Sequence, residues 1–373
     1  MRPVALSKVV LSIAGSLVVV VASAGVADGT APGRTPDRPE LLAQAGSTST
    51  VYVLASCAVA PCLHLYRTAD GGARLAAVTP PPATVSRASP TGTLRQLVFA
   101  TPSDGLALEG PVYASLLSAT FYATTNGARS WAKQSLGRGV SVIAVAATAT
   151  AYFMVTARCP HRYYPCTGYR LSHSATDHLS WTSTALGNQA GLGAFGATIA
   201  AFGRHVWLSE ATSRGAPVLA SSSDGGSSFT LRAAPRLVAV TPCQLWASSA
   251  SALWARCPTG MLVSFAHSGN GGTAWTLAKV GLIGNTSGGA YDPISASRAF
   301  LARGTTTDEL YRVSGASGAS APVGRIPASN VFSLVFTTPA QGMEVGTASG
   351  GAAPRLERTS DGGASWRPWA LPR

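Results

Sequence analysis

The sequence predicts an all-β fold, a seven-bladed β-propeller of four-stranded antiparallel blades. A short turn motif recurs at blade spacing, the intervals between its copies read as short apolar strands, and few stretches have helical periodicity. A chain of 373 residues also exceeds the usual size of one hydrophobic core, so an architecture that grows by repetition fits its length.

The N-terminus reads as an export signal over residues 1–24. Arg2 and Lys8 supply a positive start, Val9 to Val21 an apolar run, and Ala22-Ser23-Ala24 a small-x-small cleavage pattern. No later segment approaches membrane-spanning length, so no stable span is expected once the signal is removed. Residues 25–40 are rich in proline, glycine and charge and read as a disordered lead-in. The propeller is expected over residues 41–373, with the innermost strand of blade 1 drawn from Leu41–Ala45.

Five copies of the turn motif are well preserved. They run Thr68 to Leu75, Thr124 to Trp131, Ser222 to Phe229, Ser268 to Trp275 and Thr359 to Trp366. Two more have decayed, Ser174-Ala175-Thr176 leading to Trp181 and Ser314-Gly315-Ala316. The key positions Asp70, Asn126, Thr176, Asp224, Asn270, Ala316 and Asp361 are 56 residues apart at first and 45 at the end, the period of a four-stranded blade. An Asp or Asn side chain accepts backbone N–H bonds two residues on and closes the turn, and glycine supplies positive φ. The aromatics Trp131, Trp181, Trp275 and Trp366 are expected to enter the apolar space between sheets.

Between these turns, LVFATPSDGLALEG (97–110) is nearly repeated as LVFTTPAQGMEVG (334–346), each an apolar strand, a turn and a second strand. These are assigned as strands A and B of a blade. Strand C precedes the motif, and strand D follows it.

In these features the chain resembles the Asp-box (BNR) repeat superfamily over residues 41–373. That group includes sialidases, sortilin-type receptors and photosystem II assembly-factor-like propellers. The F-x-T-P-x-x-G pattern followed by a box is most similar to the last. The resemblance implies the propeller fold but no single activity, because the scaffold hosts enzymes, receptors and assembly factors.

Strand order divides the disc. The A–B and C–D turns share one face with the boxes, so functional loops are sought on the other, among the B–C and D–A connections. Cys57 and Cys62 bracket the B–C loop of blade 1, Cys159 and Cys166 that of blade 3, and Cys243 and Cys257 flank an A–B hairpin. Three nearest-neighbour disulfides follow from that geometry, in keeping with export. No metal and no cofactor is assigned, and His64, His205 and His267 look isolated. Trp207, Trp246 and Trp254 read as packing residues of the strands.

The formal charge is +13, two fewer without Arg2 and Lys8, and arginine supplies nearly all of it. Such a balance favours anionic partners. The arginines are scattered singly without a nucleic-acid fold signature, so nucleic acid is set aside. The loop Arg158-Cys159-Pro160-His161-Arg162-Tyr163-Tyr164-Pro165-Cys166 is stapled, cationic and aromatic. Its Arg158, His161, Arg162, Tyr163 and Tyr164 are the candidate ligand-binding residues. The expected protein is a secreted or wall-associated monomer that binds an anionic cell-envelope glycan or a protein partner.

A sialidase-like hydrolase and an envelope assembly factor holding a client are the rival readings. The sialidase resemblance implies an arginine triad, a Tyr nucleophile with a Glu partner and an acidic proton donor. The family's Arg-Ile-Pro motif precedes the first box, whereas Arg325-Ile326-Pro327 lies between blades 6 and 7. Glycoside hydrolysis needs facing carboxyl groups. Glu109, Glu210 and Glu344 on B strands and Asp292 near an A strand are the available acids, and the sequence places no two of them together. No catalytic residue is assigned.

Overall fold

The computed structural model describes residues 37–46, 48–57, 62–83, 94–110, 117–118, 120–159, 166–186, 197–211, 217–235, 242–259, 262–280, 283–284, 290–303, 309–328, 330–347 and 353–372. These residues form seven antiparallel four-stranded blades with no helix among them. Residues 1–36, on which the expected export signal and most of the expected lead-in fall, lie outside the described residues.

Blade 1 comprises β1 (Arg38–Gln44), β2 (Val51–Ser56), β3 (Leu63–Thr68) and β4 (Ala76–Val78). Blade 2 has β5 (Leu94–Phe99), β6 (Gly105–Glu109), β8 (Thr120–Thr124) and β9 (Ala132–Ser135). The short β7 (Leu117–Ser118) leaves its B–C connection to pair with the inner strand of blade 3. Blade 3 has β10 (Ser141–Ala147), β11 (Ala151–Arg158), β12 (Thr167–Ala175) and β13 (Thr182–Ala185). Blade 4 has β14 (Ala197–Phe202), β15 (His205–Ala211), β16 (Pro217–Ser222) and β17 (Thr230–Arg232). In blade 5, β18 (Gln244–Ala247), β19 (Leu253–Thr259), β20 (Leu262–Ser268) and β21 (Thr276–Leu277) are extended at the edge by β22 (Ile283–Gly284). Blade 6 is β23 (Tyr291–Pro293), β24 (Arg298–Arg303), β25 (Glu309–Ser314) and β26 (Ser320–Arg325). Blade 7 is β27 (Asn330–Phe336), β28 (Gly342–Thr347), β29 (Arg355–Thr359) and β30 (Arg367–Pro368).

The first strand begins at Arg38, three residues inside the segment expected to be a disordered lead-in. Arg38 pairs with Ser56, and the Ser56 hydroxyl donates to Glu40 at 2.8 Å. Pairing with a buried B strand orders residues whose composition alone reads as linker.

All seven motif positions fall at C–D turns. The five preserved turns share one bonding scheme, which differs from the expected one. In blade 4, Asp224 Oδ1 accepts from the amides of Ser227 and Ser228, three and four residues on, both at 3.0 Å. The amide two residues on, Gly226, instead donates to Ser222 Oγ at 2.8 Å, while that hydroxyl donates to Asp224 Oδ1 at 2.6 Å. Thr68, Thr124, Ser268 and Thr359 play the same part beside Asp70, Asn126, Asn270 and Asp361. In the decayed third turn Asp177 bonds His178, and Ser174 Oγ takes the amide of Ser180.

These turns also join neighbouring blades. Gly226 (φ +89°) lies against Leu171 of the preceding blade, Gly272 against Leu219 and Gly363 against Leu310. Trp131 and Trp275 donate their indole N–H to Thr79 and Ala233, at the outer edge of the preceding blade, both at 2.8 Å. Trp181 and Trp366 pack into the clusters between blades 2 and 3 and blades 6 and 7. The duplicated A–B sequence repeats its packing as well: Phe99 stacks on Tyr52 of blade 1, and Phe336 on Phe300 of blade 6.

The ring closes without a shared strand. Blade 7 meets blade 1 through Val335, Met343, Val345 and Leu356 against Val51, Val53, Ala55 and Tyr66. Arg358 donates to the Gly72 carbonyl at 2.7 Å, and the Leu42 amide to Ser333 Oγ at 3.3 Å.

A Cβ at Gly226 would fall 2.0 Å from the buried Leu171 Cδ2, whereas Gly203 (φ +57°) has open space around it. Gly226→Ala therefore combines backbone strain with overpacking and is expected to lose ~3 kcal/mol in denaturant unfolding. Gly203→Ala carries the strain alone, ~1 kcal/mol. Equal losses would show that the close inter-blade contact does not matter.

Candidate functional site

On the face opposite the boxes lie the starts of strands A and C and the ends of strands B and D. Four described arginines are exposed there: Arg38 at the start of β1, Arg158 at the end of β11, Arg325 at the end of β26 and Arg355 at the start of β29. Among the described residues the ion pairs are His64–Asp37 and His178–Asp177; none of these four guanidinium groups is within ion-pair distance of a described carboxylate, though Arg38 and Arg355 act electrostatically on Glu40 and Glu357. Arg325, Arg355 and Arg38 stand on the consecutive blades 6, 7 and 1.

The inner strands near this face carry a second feature. In β27 the register shifts between Val331 and Ser333, so Phe332 is an extra residue in the ladder. The same shift occurs in β1 at Glu40, in β5 at residue 95 and in β10 at Ile143. Blades 7, 1, 2 and 3 thus carry a bulge near the start of strand A, and the inner strands of blades 4, 5 and 6 pair without one. A bulge re-aims a side chain. Phe332, at its bulge, is a large apolar group left 43% exposed, whereas Ile143 at the blade 3 bulge is buried. Glu40 is half-buried, and burial pushes its pKa up against the opposing effects of Ser56 and Arg38.

A channel cavity of about 400 Å³ is lined by Gln96, Ile143 to Ala147, Ala197 to Ala201, Gln244 to Ala247, Asp292 and Pro293. Its walls mix alanines with the polar Gln96, Thr198 and Gln244 and the larger Ile143 and Trp246. Asp292 is its one acid; burial raises its pKa to about 7, against the lowering effect of the Phe336 amide that it accepts. A second cavity of about 370 Å³ lies on the box side between blades 4 and 5, against His205, Trp207 and Asn270, and has no acid in its lining.

The remaining acids are placed by the packing of the blades. Glu210 is 1% exposed between blades 3 and 4, with no hydrogen-bond partner among the described residues for either oxygen, and burial raises its pKa to about 8. Glu344 is fully buried directly opposite Glu357, itself 4% exposed, and burial raises the Glu357 pKa. Two carboxyls therefore do face each other, but inside a blade contact with no room for a sugar. Glu109 is half-buried at the end of β6. Arg325 and Pro327 are exposed beyond an outer strand, with Ile326 buried between blades 6 and 7.

Disulfides join Cys57–Cys62, Cys159–Cys166 and Cys243–Cys257. Of the stapled loop, Arg158 is exposed, while His161, Arg162, Tyr163 and Tyr164 lie outside the described residues. Trp207 and Trp254 are buried and donate to Gly271 and Ser295 of the next blade. His267 bonds the Gly315 and Ala296 carbonyls, and so belongs to the contact between blades 5 and 6.

His64 is not isolated. Its Nε2 lies 3.9 Å from Cys57 Sγ and 4.0 Å from Cys62 Sγ, and its Nδ1 bonds the Asp37 carboxylate. Tyr66 donates to the same carboxylate at 2.6 Å. The spacing Cys-x4-Cys-x-His was a usable signal for this cluster. Phe332 had none, because the bulge that exposes it is a property of the paired ladder.

The molecule is thus a seven-bladed β-propeller with one face committed to inter-blade turns and the other presenting arginines and a bulged aromatic. No family model matches the sequence, and no curated protein matches it. Among solved structures, one from a study of two prolyl endopeptidases has a TM-score of 0.57 at 10% identity, covering 90% of this chain and 50% of that one. YCF48 bound to D1 peptide gives 0.48 at 15% identity, over 74% of this chain and 80% of that one. YCF48 from Cyanidioschyzon merolae gives 0.44 at 14%, over 71% and 77%. These are likenesses of fold.

The buried acids set a pH dependence. Above the ordinary glutamate value of 4.5 the unfolded chain ionises Glu210, while the folded chain holds its proton up to about 8. Over that interval the native state binds the extra proton, so this group's contribution to stability falls as pH rises. Glu210→Gln is expected to raise the denaturation midpoint at pH 8 and to leave it nearly unchanged at pH 4.5. A constant difference across the range would show that Glu210 is not held protonated.

Proposed function

We propose that this is an exported, non-catalytic binding propeller that docks an acidic segment of a protein partner on the face opposite the box turns. The observation that carries the reading is the exposure of Arg38, Arg325 and Arg355 on consecutive blades, none within ion-pair distance of a described carboxylate, with Phe332 exposed on the inner strand of blade 7. Guanidinium groups bind carboxylates in bidentate fashion, and an aromatic flanked by arginines is the usual composition of an interface hot spot. Arg158 and the Cys159–Cys166 disulfide of blade 3 extend the same face, and His161, Arg162, Tyr163 and Tyr164, outside the described residues, are proposed as further contacts.

The three disulfides are consistent with an extracellular or periplasmic protein, and no described helix is long and apolar enough to cross a membrane. Secretion with retention at the cell wall is the localisation proposed. A glycosidase reading has less support, since neither described cavity brings two carboxyl groups together.

Binding of a fluorescent glutamate-rich peptide, followed by anisotropy against a neutral peptide of equal length, tests this reading. Affinity is expected to fall with salt and by about two- to fivefold for each of Arg38→Ala and Arg355→Ala. Phe332→Ala is expected to weaken it further, by roughly tenfold. Equal binding of the neutral peptide, or indifference to all three substitutions, would reject the docking face. Retention of a uronic-acid polymer with no peptide binding would transfer the face to an anionic glycan.

A further inference from the structure

The hairpin of blade 1 gathers three ligand-type atoms at one point. Ala55 pairs with His64 and Ser56 with Leu63, and the Cys57 amide donates to the Cys62 carbonyl at 3.1 Å, extending the ladder by one rung. Residues two apart on a strand share a face. Cys57, Cys62 and His64 therefore lie on the same side of the sheet, with their ligand atoms within 4.8 Å of one another.

The ring is already oriented as a ligand. A metal-binding imidazole commonly gives its other nitrogen to a carboxylate, which fixes the tautomer and the ring plane. Here Asp37 holds Nδ1, Tyr66 holds Asp37, and Nε2 faces both sulfurs. Tetrahedral zinc with Zn–S of about 2.3 Å and Zn–N of about 2.0–2.1 Å sets sulfur and nitrogen ~3.6 Å apart. The observed 3.9 and 4.0 Å are within a few tenths of an ångström of that, so only the two sulfurs have to part. The His64 side chain is 48% exposed, which leaves an ion a path to the site.

We propose that Cys57, Cys62 and His64 form a redox-gated Zn²⁺ site, closed by the disulfide and opened by a dithiol reductant, with Asp37 as a positioning residue. Thiol–disulfide exchange breaks the Cys57–Cys62 bond, forms a disulfide within the reductant and moves its two protons to the cysteine sulfurs. Zn²⁺ then displaces both protons, so two are released per ion bound. The ion takes two thiolates and the His64 Nε2, and water fills the fourth position. This site lies on the same face as the docking arginines, with Asp37 next to Arg38, but it does not rest on the docking reading.

The test uses the purified protein carrying Cys159→Ser and Cys166→Ser, which removes the disulfide whose Cys159 is half-buried and leaves the fully buried Cys243–Cys257. A trialkylphosphine reduces Cys57–Cys62 and leaves as the phosphine oxide, taking its oxygen from water. Anaerobic titration with Co²⁺ is expected to show one equivalent bound, with near-ultraviolet thiolate-to-cobalt absorption that Zn²⁺ displaces and Mg²⁺ does not. The oxidised protein is expected to show none. Asp37→Asn should weaken the site by 10- to 100-fold, the cost of losing a carboxylate behind a ligating histidine. Cys62→Ser and His64→Ala should abolish stoichiometric binding while circular dichroism shows the propeller intact. Absence of the band from the reduced, folded protein, or its survival at full affinity in His64→Ala, would overturn the proposal.

Discussion

The closed ring depends on the contact between each box turn and the blade before it. A box combines a hydroxyl and carboxyl or amide pair that satisfies the turn amides with a small residue at positive φ where the preceding blade presses in, glycine in four of the preserved turns and Ala128 (φ +63°) in blade 2. Leu171, Leu219 and Leu310 fill those places against Gly226, Gly272 and Gly363. Burying a leucine contributes about 1.5–3 kcal/mol, and the contact recurs around the disc. The same contact has to close the ring, because blade 1 and blade 7 are each built from contiguous chain and exchange no strand. There the second box glycine, Gly72, meets Trp369 and Met343, and Arg358 anchors its carbonyl while lying over the Trp369 ring at 5.4 Å.

One consequence is a division of labour between the faces. Asp70, Asp224 and Asp361 are spent on turns, where hydrogen bonds to the neighbouring hydroxyls and amides hold their carboxyls below the usual range, that of Asp361 at about 2. Glu210, Glu344 and Glu357 are buried between strands and blades. On the opposite face Arg38, Arg158, Arg325 and Arg355 stay exposed, with none in a close ion pair among the described residues. The inner-strand bulges fall near that same face, on blades 7, 1, 2 and 3, so the channel mouth is asymmetric although the repeat that builds it is nearly regular.

Most of the architecture was legible because the box is a local device. Its donors and acceptors lie within six residues, from Thr68 or Ser222 to Arg74 or Ser228, so composition and spacing reveal it directly. The disulfide pairs were legible for a related reason, since a hairpin holds its two strands at fixed separation. Less visible was the scheme inside the box. The amide two residues on from the acid goes to the hydroxyl rather than to the carboxyl, and only the folded turn sets which acceptor is nearer. The decayed third box shows the same point, because Ser174 alone keeps the turn after the acid is lost to His178.

The candidate sites divide along the same line. By itself, the sequence determined the number of blades, the face that carries the boxes, the cysteine pairs and the excess of arginine, all of which follow from short-range pattern or from sums over the chain. Tertiary structure decided where Arg38, Phe332 and His64 stand. Arg38 joined a strand because β2 offered it a ladder, and Phe332 became exposed because β27 and β28 pair with one residue to spare. His64 met Asp37 because β1 and β3 flank the same strand, and that adjacency brings together residues twenty-seven positions apart in the chain. Contacts of this range are set by register and closure, which no local pattern of residues encodes.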